Sequence, residues 1–218
     1  MYLSRVEIDD SNRRKLKDLT NLAAYHGWVE KSFPDEEKSQ FRHLWRIDQL
    51  KSKGYLLLVS PKKPIVKNLE RYGVPGTAQI VDYDHYVNSL KEGQIMRFRL
   101  TANPVTRHGG KVIKAAMPED KKNGETMRDR LKDWLFKRMV PNGFEITRND
   151  FDMYNVDMVS QKTVALYHKG CKPINLKQVT YEGILKITDL DKFKAALKQG
   201  IGREKAYGMG LITVIPIN

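Results

Sequence analysis

Apolar and charged residues alternate near the N-terminus, where Val6 and Ile8 lie between Arg5 and Glu7. This two-residue period predicts a strand with one buried face. An apolar stripe at helical spacing follows, with members four, three and four residues apart: Leu22, His26, Val29 and Phe33. The stripe predicts an amphipathic helix that is capped by Asn21 and is stopped by Pro34.

Other apolar runs in the first half predict strands at 44–47, 55–59 and 96–100. The run at 55–59 is apolar throughout, which is typical of a strand covered on both faces. In the strand at 96–100, Arg97 and Arg99 alternate with apolar residues, so one face is basic. A short helix fits 67–72, while the rest of 61–86 gives no clear prediction.

The second half predicts a similar order of elements. A helix with an apolar stripe is predicted at 127–139, and cations surround the stripe: Arg128, Arg130, Lys132, Lys137 and Arg138. Strands are predicted at 144–147, 156–159, 163–167 and 179–187, a helix at 190–198 and a last strand at 211–215. The two series predict an α+β protein of two tandem ferredoxin-like (βαββαβ) domains with antiparallel sheets, at 1–102 and 103–218.

A glycine loop, residues 200–210, lies between the last predicted helix and the last strand. It consists of two Gly-apolar-Gly triplets separated by five residues: Gly200, Gly202, Gly208 and Gly210. Glycine permits a positive φ or a close approach of the main chain to a ligand, and the insert carries Arg203 and Lys205, which suits contact with phosphate. Two standard nucleotide-binding loops are excluded. A dinucleotide fingerprint would need glycine where Lys205 stands, and a Walker A loop would need a Gly-Lys-Ser/Thr that does not follow here.

The charge of the chain favours a polyanionic partner. Its 218 residues include 39 Lys and Arg against 26 Asp and Glu, which gives a net charge of +13, and both halves are basic. Nucleic acid is the leading class, because cations that neutralise phosphates release counterions. The lone cysteine, Cys171, excludes an internal disulfide, and no apolar run approaches the roughly 18 residues of a membrane span, so we expect a cytoplasmic protein.

Acidic pairs such as Asp82 with Asp84 could be metal ligands, but each lies where a turn or helix cap is expected. His43, His85 and His108 have no zinc-site spacing with the lone cysteine. The sequence therefore predicts no metal site.

Short motifs along nearly the whole chain resemble one family, and their order and spacing carry the resemblance. They are the glycine loop, Met1-Tyr2-Leu3-Ser4, Arg97-Phe98-Arg99-Leu100, Ala102-Asn103-Pro104 and Tyr181-Glu182-Gly183. The chain resembles the repeat-associated RNA-processing proteins of CRISPR systems, and more narrowly the type I-E pre-crRNA endoribonucleases, the CasE family of Cascade subunits.

The resemblance implies cleavage of CRISPR repeat RNA at the 3′ base of its stem-loop, without metal or cofactor. The 2′-OH attacks the adjacent phosphate and leaves a 2′,3′-cyclic phosphate and a 5′-OH. The implied partners are repeat RNA, crRNA that stays bound in Cascade, and other Cascade subunits, with no membrane. We expect the isolated chain to be a monomer.

In the family a functional histidine lies about eight residues before the proline of a Phe-Pro pair, and Phe33-Pro34 places it at His26. A histidine can take a proton from the 2′-OH or give one to the leaving 5′-oxygen, and both roles stay open. Core packing is the alternative for His26. Some members carry tyrosine where this chain has Ala23, and Tyr25 is a candidate catalytic or RNA-binding residue, or a core residue.

The resemblance also implies that the basic hairpin, residues 155–177, docks at the base of the RNA stem. Lys169 is then the candidate contact to the scissile phosphate, and a solvated hairpin tip is the alternative. Cations of the predicted helix at 127–139 would recognise the shape of A-form RNA through its backbone. The glycine loop is expected to bind RNA without taking part in cleavage. The full set of candidate RNA-binding residues is Arg97, Arg99, Arg107, Lys111, Arg128, Arg130, Lys137, Arg138, Lys162, Lys172, Gly200, Gly202, Arg203, Lys205, Gly208 and Gly210.

Two other functions fit parts of the sequence. A non-catalytic RNA-binding protein of the same fold would keep the basic helix and the glycine loop and would not depend on His26. A ferredoxin-like enzyme for a phosphorylated metabolite would concentrate its charge in one pocket, and the basic character of both halves disfavours it.

Overall fold

The computed structural model describes residues 1–34, 42–108, 111–114, 126–167 and 173–217; of 106–108 and 111–114 it describes the backbone alone. No helix in these ranges is long and apolar enough to cross a membrane. The chain forms two compact units. The first contains Met1–Ser89, Ala165–Asn175 and Glu204–Leu211, and the second contains Leu90–Val164, Leu176–Arg203 and Ile212–Asn218.

The first unit is ferredoxin-like. Its strands and helices are, in chain order, β1 (Tyr2–Glu7), α1 (Arg13–Asp18), α2 (Leu22–Lys31), β2 (Leu44–Leu50), β3 (Lys53–Ser60), α3 (Val66–Leu69), β4 (Gln79–Asp82) and α4 (Tyr83–Ser89). The described strands form an antiparallel sheet in the order β2-β3-β1-β4. The series β1-α2-β2-β3-α3-β4 is the βαββαβ arrangement that the sequence predicts.

Helix α2 packs on the core of this unit. The predicted cap is confirmed, because the side chain of Asn21 accepts a hydrogen bond from the backbone N–H of Ala24 at 3.1 Å. Trp28 and Val29 are buried in the core cluster, together with β3 residues such as Leu56. The indole N–H of Trp28 donates to the carbonyl of Leu69 at 3.0 Å, which ties α2 to the end of α3.

The second unit repeats the βαββαβ series. Its strands and helices are β5 (Ile95–Ala102), β6 (Val105–His108), β7 (Lys111–Lys114), α5 (Met127–Met139), β8 (Phe144–Ile146), β9 (Val156–Leu166), β10 (Ile174–Ile187), α6 (Leu190–Gln199) and β11 (Ile212–Pro216). The sheet order is β11-β5-β10-β8; β9 pairs with β10, and β6 and β7 form a separate hairpin. The strands predicted at 156–159 and 163–167 are one strand, β9.

The structure starts the second series earlier than the sequence predicted. Strand β5 pairs with β10 and β11, although the predicted domain 1–102 included it. Strand β4, from the region that gave no clear prediction, pairs with β1 in the first sheet. Alternation shows which face of a strand is buried and not which sheet it joins. A single boundary after residue 102 therefore does not describe the chain.

Candidate active site

His26 lies in the second turn of α2. Its side chain is 37% exposed. Its Nδ1 atom is nevertheless buried and has no hydrogen-bond partner among the residues that the structure describes. The exposed area of the ring thus lies on its other atoms, which include Nε2. The predicted apolar stripe is consequently mixed, because Val29 and Phe33 are buried while His26 is accessible.

A carboxylate lies between His26 and a second histidine. Glu30 is one turn after His26, and its Oε1 atom is 3.8 Å from His26 Nδ1. The same oxygen is 3.1 Å from Nδ1 of His43, whose side chain is 3% exposed. The His43 ring stacks on Phe33 with the ring centroids 3.8 Å apart. No group of His, Cys, Asp or Glu side chains within the described ranges could hold a metal ion.

The glycine loop approaches the same helix. A short 3₁₀ turn, Lys205–Tyr207, lies within the loop and belongs to the first unit. The ring of Tyr207 contacts the ring of His26 edge-on, with centroids 5.8 Å apart. A tyrosine hydroxyl can donate a hydrogen bond, so the turn brings a second polar side chain to the neighbourhood of His26.

Side chains of strand β2 hold the turn in place. The indole N–H of Trp45 donates to the carbonyl of Ala206 at 3.0 Å. The Arg46 guanidinium is buried, and it donates to the carbonyl of Leu211 at 3.0 Å while it also pairs with Asp48 at 2.7 Å. Both the turn and the end of the loop are therefore fixed by side chains of one strand.

The loop glycines shape the backbone. All four predicted glycines have positive φ, as the backbone role requires. At Gly208, where φ is +75°, a Cβ atom would lie 2.7 Å from the ring of Trp45; at Gly202 it would lie 3.1 Å from the ring of Trp134. Gly200, Gly208 and Gly210 are buried, which favours packing over direct RNA contact for these three.

Lys205 is a half-buried cation on the turn that carries Tyr207. Burial lowers the pKa of its ammonium group, and the neighbouring Arg42 guanidinium lowers it further. An anion bound next to both cations would offset their mutual repulsion. Lys205 and Arg42 are therefore suited to a phosphate group.

Tyr25 packs against two tryptophans of the first unit. Its ring stacks on Trp45 with a centroid distance of 5.9 Å and lies 6.2 Å from Trp28. Burial raises the pKa of its hydroxyl. These contacts favour the core alternative for Tyr25, and its catalytic role stays a prediction.

The basic helix, α5, has exposed and packed cations. A capping box between Thr126 and Asp129 starts the helix. Arg128 and Lys137 are more than half exposed, and Lys137 pairs with Asp133 at 2.6 Å. The Arg138 guanidinium instead lies 4.7 Å from the ring centroid of Trp134, and burial lowers its pKa. Arg138 is therefore better suited to packing than to RNA contact.

Most of the other RNA-binding candidates belong to the second unit. Arg97 is exposed on β5, and Arg99 pairs with Glu182 across the strands at 3.0 Å. Lys162 on β9 and Arg203 are exposed, and Arg130 is half-buried on α5. Lys169 and Lys172 lie outside the described residues, as do the side chains of Arg107 and Lys111. Their predicted roles stay predictions.

A family model described as "CRISPR associated protein" matches residues 1–216. The chain belongs to this CRISPR-associated family. It is 26% identical over 228 residues to the CRISPR-associated endoribonuclease Cse3 of Thermus thermophilus, an alignment that covers 99% of this chain and all of the relative.

Solved structures of CRISPR proteins share the fold. A structure of T. thermophilus Cse3 bound to an RNA representing a pre-cleavage complex has a TM-score of 0.77 and 25% identity, with 99% of this chain and 98% of that chain covered. A chain of a CRISPR RNA-guided surveillance complex in its pre-nicking state has a TM-score of 0.67 and 23% identity over all of both chains. The CRISPR resemblance and the two ferredoxin-like domains are confirmed.

Three residues around His26 in this CRISPR-associated chain had no part in the predicted site: Glu30, His43 and Tyr207. Glu30 could have been found, because residues four apart on a helix share a face. The other two come from different elements, and only the folded sheet and the glycine loop bring them to α2.

Proposed function

We propose that this chain is a CRISPR-associated endoribonuclease of the type I-E CasE kind. It binds the stem-loop of the repeat in pre-crRNA and cuts at the 3′ base of the stem. Family membership and the similarity to Cse3, which is named an endoribonuclease, support RNA cleavage. The position of His26 carries the assignment of the site: an accessible imidazole contacts Tyr207 on the turn that also bears Lys205.

The reaction joins the 2′-oxygen to the adjacent phosphorus and breaks the bond from phosphorus to the 5′-oxygen. The 2′-oxygen loses a proton and the 5′-oxygen gains one, which leaves a 2′,3′-cyclic phosphate and a 5′-OH. His26 performs one of these transfers through Nε2, because its Nδ1 atom is buried. Lys205, together with Lys169 outside the described residues, is a candidate for stabilising the negative charge of the phosphorane.

The proposed partners are repeat RNA, crRNA and the other subunits of Cascade. The shared fold with a chain of an RNA-guided surveillance complex supports this assembly. We also propose that the cleaved crRNA stays bound, that the isolated chain is a monomer and that it acts in the cytoplasm. Exposed Arg128 and Lys137 on α5 are the candidates for contact with the RNA backbone.

Cleavage of a short repeat hairpin in EDTA tests this function. The expected result is a single cut with a 2′,3′-cyclic phosphate end, and no cut in a copy with a 2′-deoxy sugar at the scissile nucleotide. His26→Ala should abolish cleavage and leave the affinity for the 2′-deoxy RNA unchanged. An unchanged rate in His26→Ala would remove His26 from the mechanism, and cleavage of the 2′-deoxy RNA would exclude attack by the 2′-OH.

A further inference from the structure

Close to the ring of His26 lies a side chain that can accept a hydrogen bond, the carboxylate of Glu30. Nδ1 is buried, while Glu30 Oε1 on the next turn is 3.8 Å away. A hydrogen bond between these atoms requires about 2.7–3.2 Å, so a shift of less than ~1 Å would close it. A small rotation about the side-chain bonds of Glu30 or His26 supplies such a shift. The buried ring nitrogen, Nδ1, therefore has a carboxylate within reach of a hydrogen bond.

Glu30 is itself held by a residue from outside the helix. His43, which precedes β2, lies with Nδ1 at 3.1 Å from the same Oε1 atom. A carboxylate only accepts hydrogen bonds, so His43 Nδ1 carries the proton of this contact. Burial and the stacking on Phe33 leave the His43 ring little freedom. The position of the Glu30 carboxylate is therefore set by His43, which adjoins β2 of the sheet, as well as by α2.

We propose that Glu30, fixed by His43, is a positioning residue for His26. It accepts the proton on His26 Nδ1 and so selects the ring tautomer that presents Nε2 to the RNA. When Nε2 is also protonated during the reaction, the carboxylate stabilises the imidazolium. A carboxylate behind a histidine plays this part in other acid–base sites. The inference rests on the proposed function, in which His26 transfers the proton.

The elements packed against α2 carry other ionisable groups. Arg42 lies beside His43, Lys205 and Tyr207 lie on the 3₁₀ turn, and Lys67 is on α3. Three of these four groups are cations, while Glu204, which caps the turn, and Glu70, which ends α3, are carboxylates. Glu30 is the carboxylate that lies 3.8 Å from His26 Nδ1.

Replacement of Glu30 by Gln tests the proposal in the full-length chain. The variant keeps the size of the side chain and loses the charge. We expect the single-turnover cleavage rate to fall about tenfold or more, a part of the ~10²–10⁴ that general acid–base catalysis contributes. The affinity for 2′-deoxy hairpin RNA should stay unchanged. The histidine-dependent limb of the pH–rate profile should move to lower pH, whether His26 acts as acid or as base, because the imidazolium loses its partner.

Two further variants control for structural effects. Glu92→Gln removes an exposed carboxylate from the second unit, and it should change neither the rate nor the pH profile. His43→Gln should move the pH profile in the same direction as Glu30→Gln and by less. Unfolding curves of all variants would identify a loss of activity that comes from misfolding. A Glu30→Gln profile and rate equal to those of Glu92→Gln would overturn the proposal, while an inactive His26→Ala would still uphold the proposed function.

A measurement without RNA separates the two conclusions completely. Long-range ¹H–¹⁵N spectra of histidine-labelled protein report the tautomer and the titration of each ring, and His26→Ala assigns the signal. We expect His26 to carry its proton on Nδ1 when neutral and to titrate at lower pH in Glu30→Gln. A neutral ring protonated on Nε2, or an unmoved titration, would refute the role of Glu30 even if the protein cut no RNA at all.

Discussion

Gly208→Ala tests how the glycine loop is held beside His26. The new Cβ atom would meet three atoms of the Trp45 ring, the nearest at 2.7 Å, in a backbone with φ of +75°. Gly76 is a matched control in the same unit, because its φ is +77° and a Cβ atom added there would meet no described atom within 4 Å. Both substitutions force alanine into left-handed backbone, and only Gly208→Ala adds a clash.

The two contributions can be separated by magnitude. Left-handed backbone costs an L-residue about 1–2 kcal/mol, and this applies to both variants. Overpacking against a buried side chain costs about 1–3 kcal/mol more. Gly208→Ala should therefore lower the free energy of unfolding by about 2–5 kcal/mol, and Gly76→Ala by about 1–2 kcal/mol.

Urea unfolding followed by circular dichroism measures this difference. Trp45→Phe removes the ring atoms that the Cβ would meet, so in that background Gly208→Ala should cost little more than Gly76→Ala. The double-mutant comparison corrects for the lost hydrogen bond from Trp45 to Ala206. Equal destabilisation by Gly208→Ala and Gly76→Ala in the wild-type background would refute the claim that Trp45 requires glycine at this position.

Three further outcomes follow from the described side chains. Burial and Arg42 lower the pKa of Lys205, so below that pKa the positive charge of Lys205 lowers the stability of the folded protein. Lys205→Met should therefore raise the melting temperature of RNA-free protein at neutral pH. The same substitution should reduce the salt slope of RNA binding by about 1. The pair Arg128→Ala and Lys137→Ala should reduce that slope by about 2 in salt titrations with little loss of stability, because both side chains are exposed. Tyr25→Phe should leave the single-turnover rate unchanged, and a large loss would restore Tyr25 to the catalytic candidates.

The sequence was sufficient for local structure and for one catalytic candidate. The cap at Asn21, the helix with Trp28 and Val29, and the turn glycines follow from nearest-neighbour chemistry, which a single chain displays directly. The accessible position of His26 agrees with a catalytic role, which the family resemblance supplied and periodicity alone could not. The apolar stripe would have buried that ring, and its exposure depends on how α2 sits on the sheet.

Contacts between residues far apart in the chain could not be predicted from the sequence pattern. Strand β5 has the same alternation in either sheet, and its assignment to the second depends on pairing with β10, some 80 residues later. The contact between His26 and Tyr207 joins opposite ends of the chain. Such contacts are made by the fold as a whole, so a motif at one end contains no sign of its partner at the other.

The glycine loop is expected to bind RNA without taking part in cleavage, and the position of Tyr207 beside His26 gives a competing prediction. The chain enters the first unit at Glu204 and leaves it after Leu211, and within this segment Trp45 and Arg46 hold the backbone. A loop fixed in this way loses little conformational entropy when RNA binds, so its cations and Tyr207 are oriented beforehand. Substitutions in the turn should then lower the cleavage rate at saturating protein as well as the affinity. An effect on affinity alone would return the loop to a purely binding role.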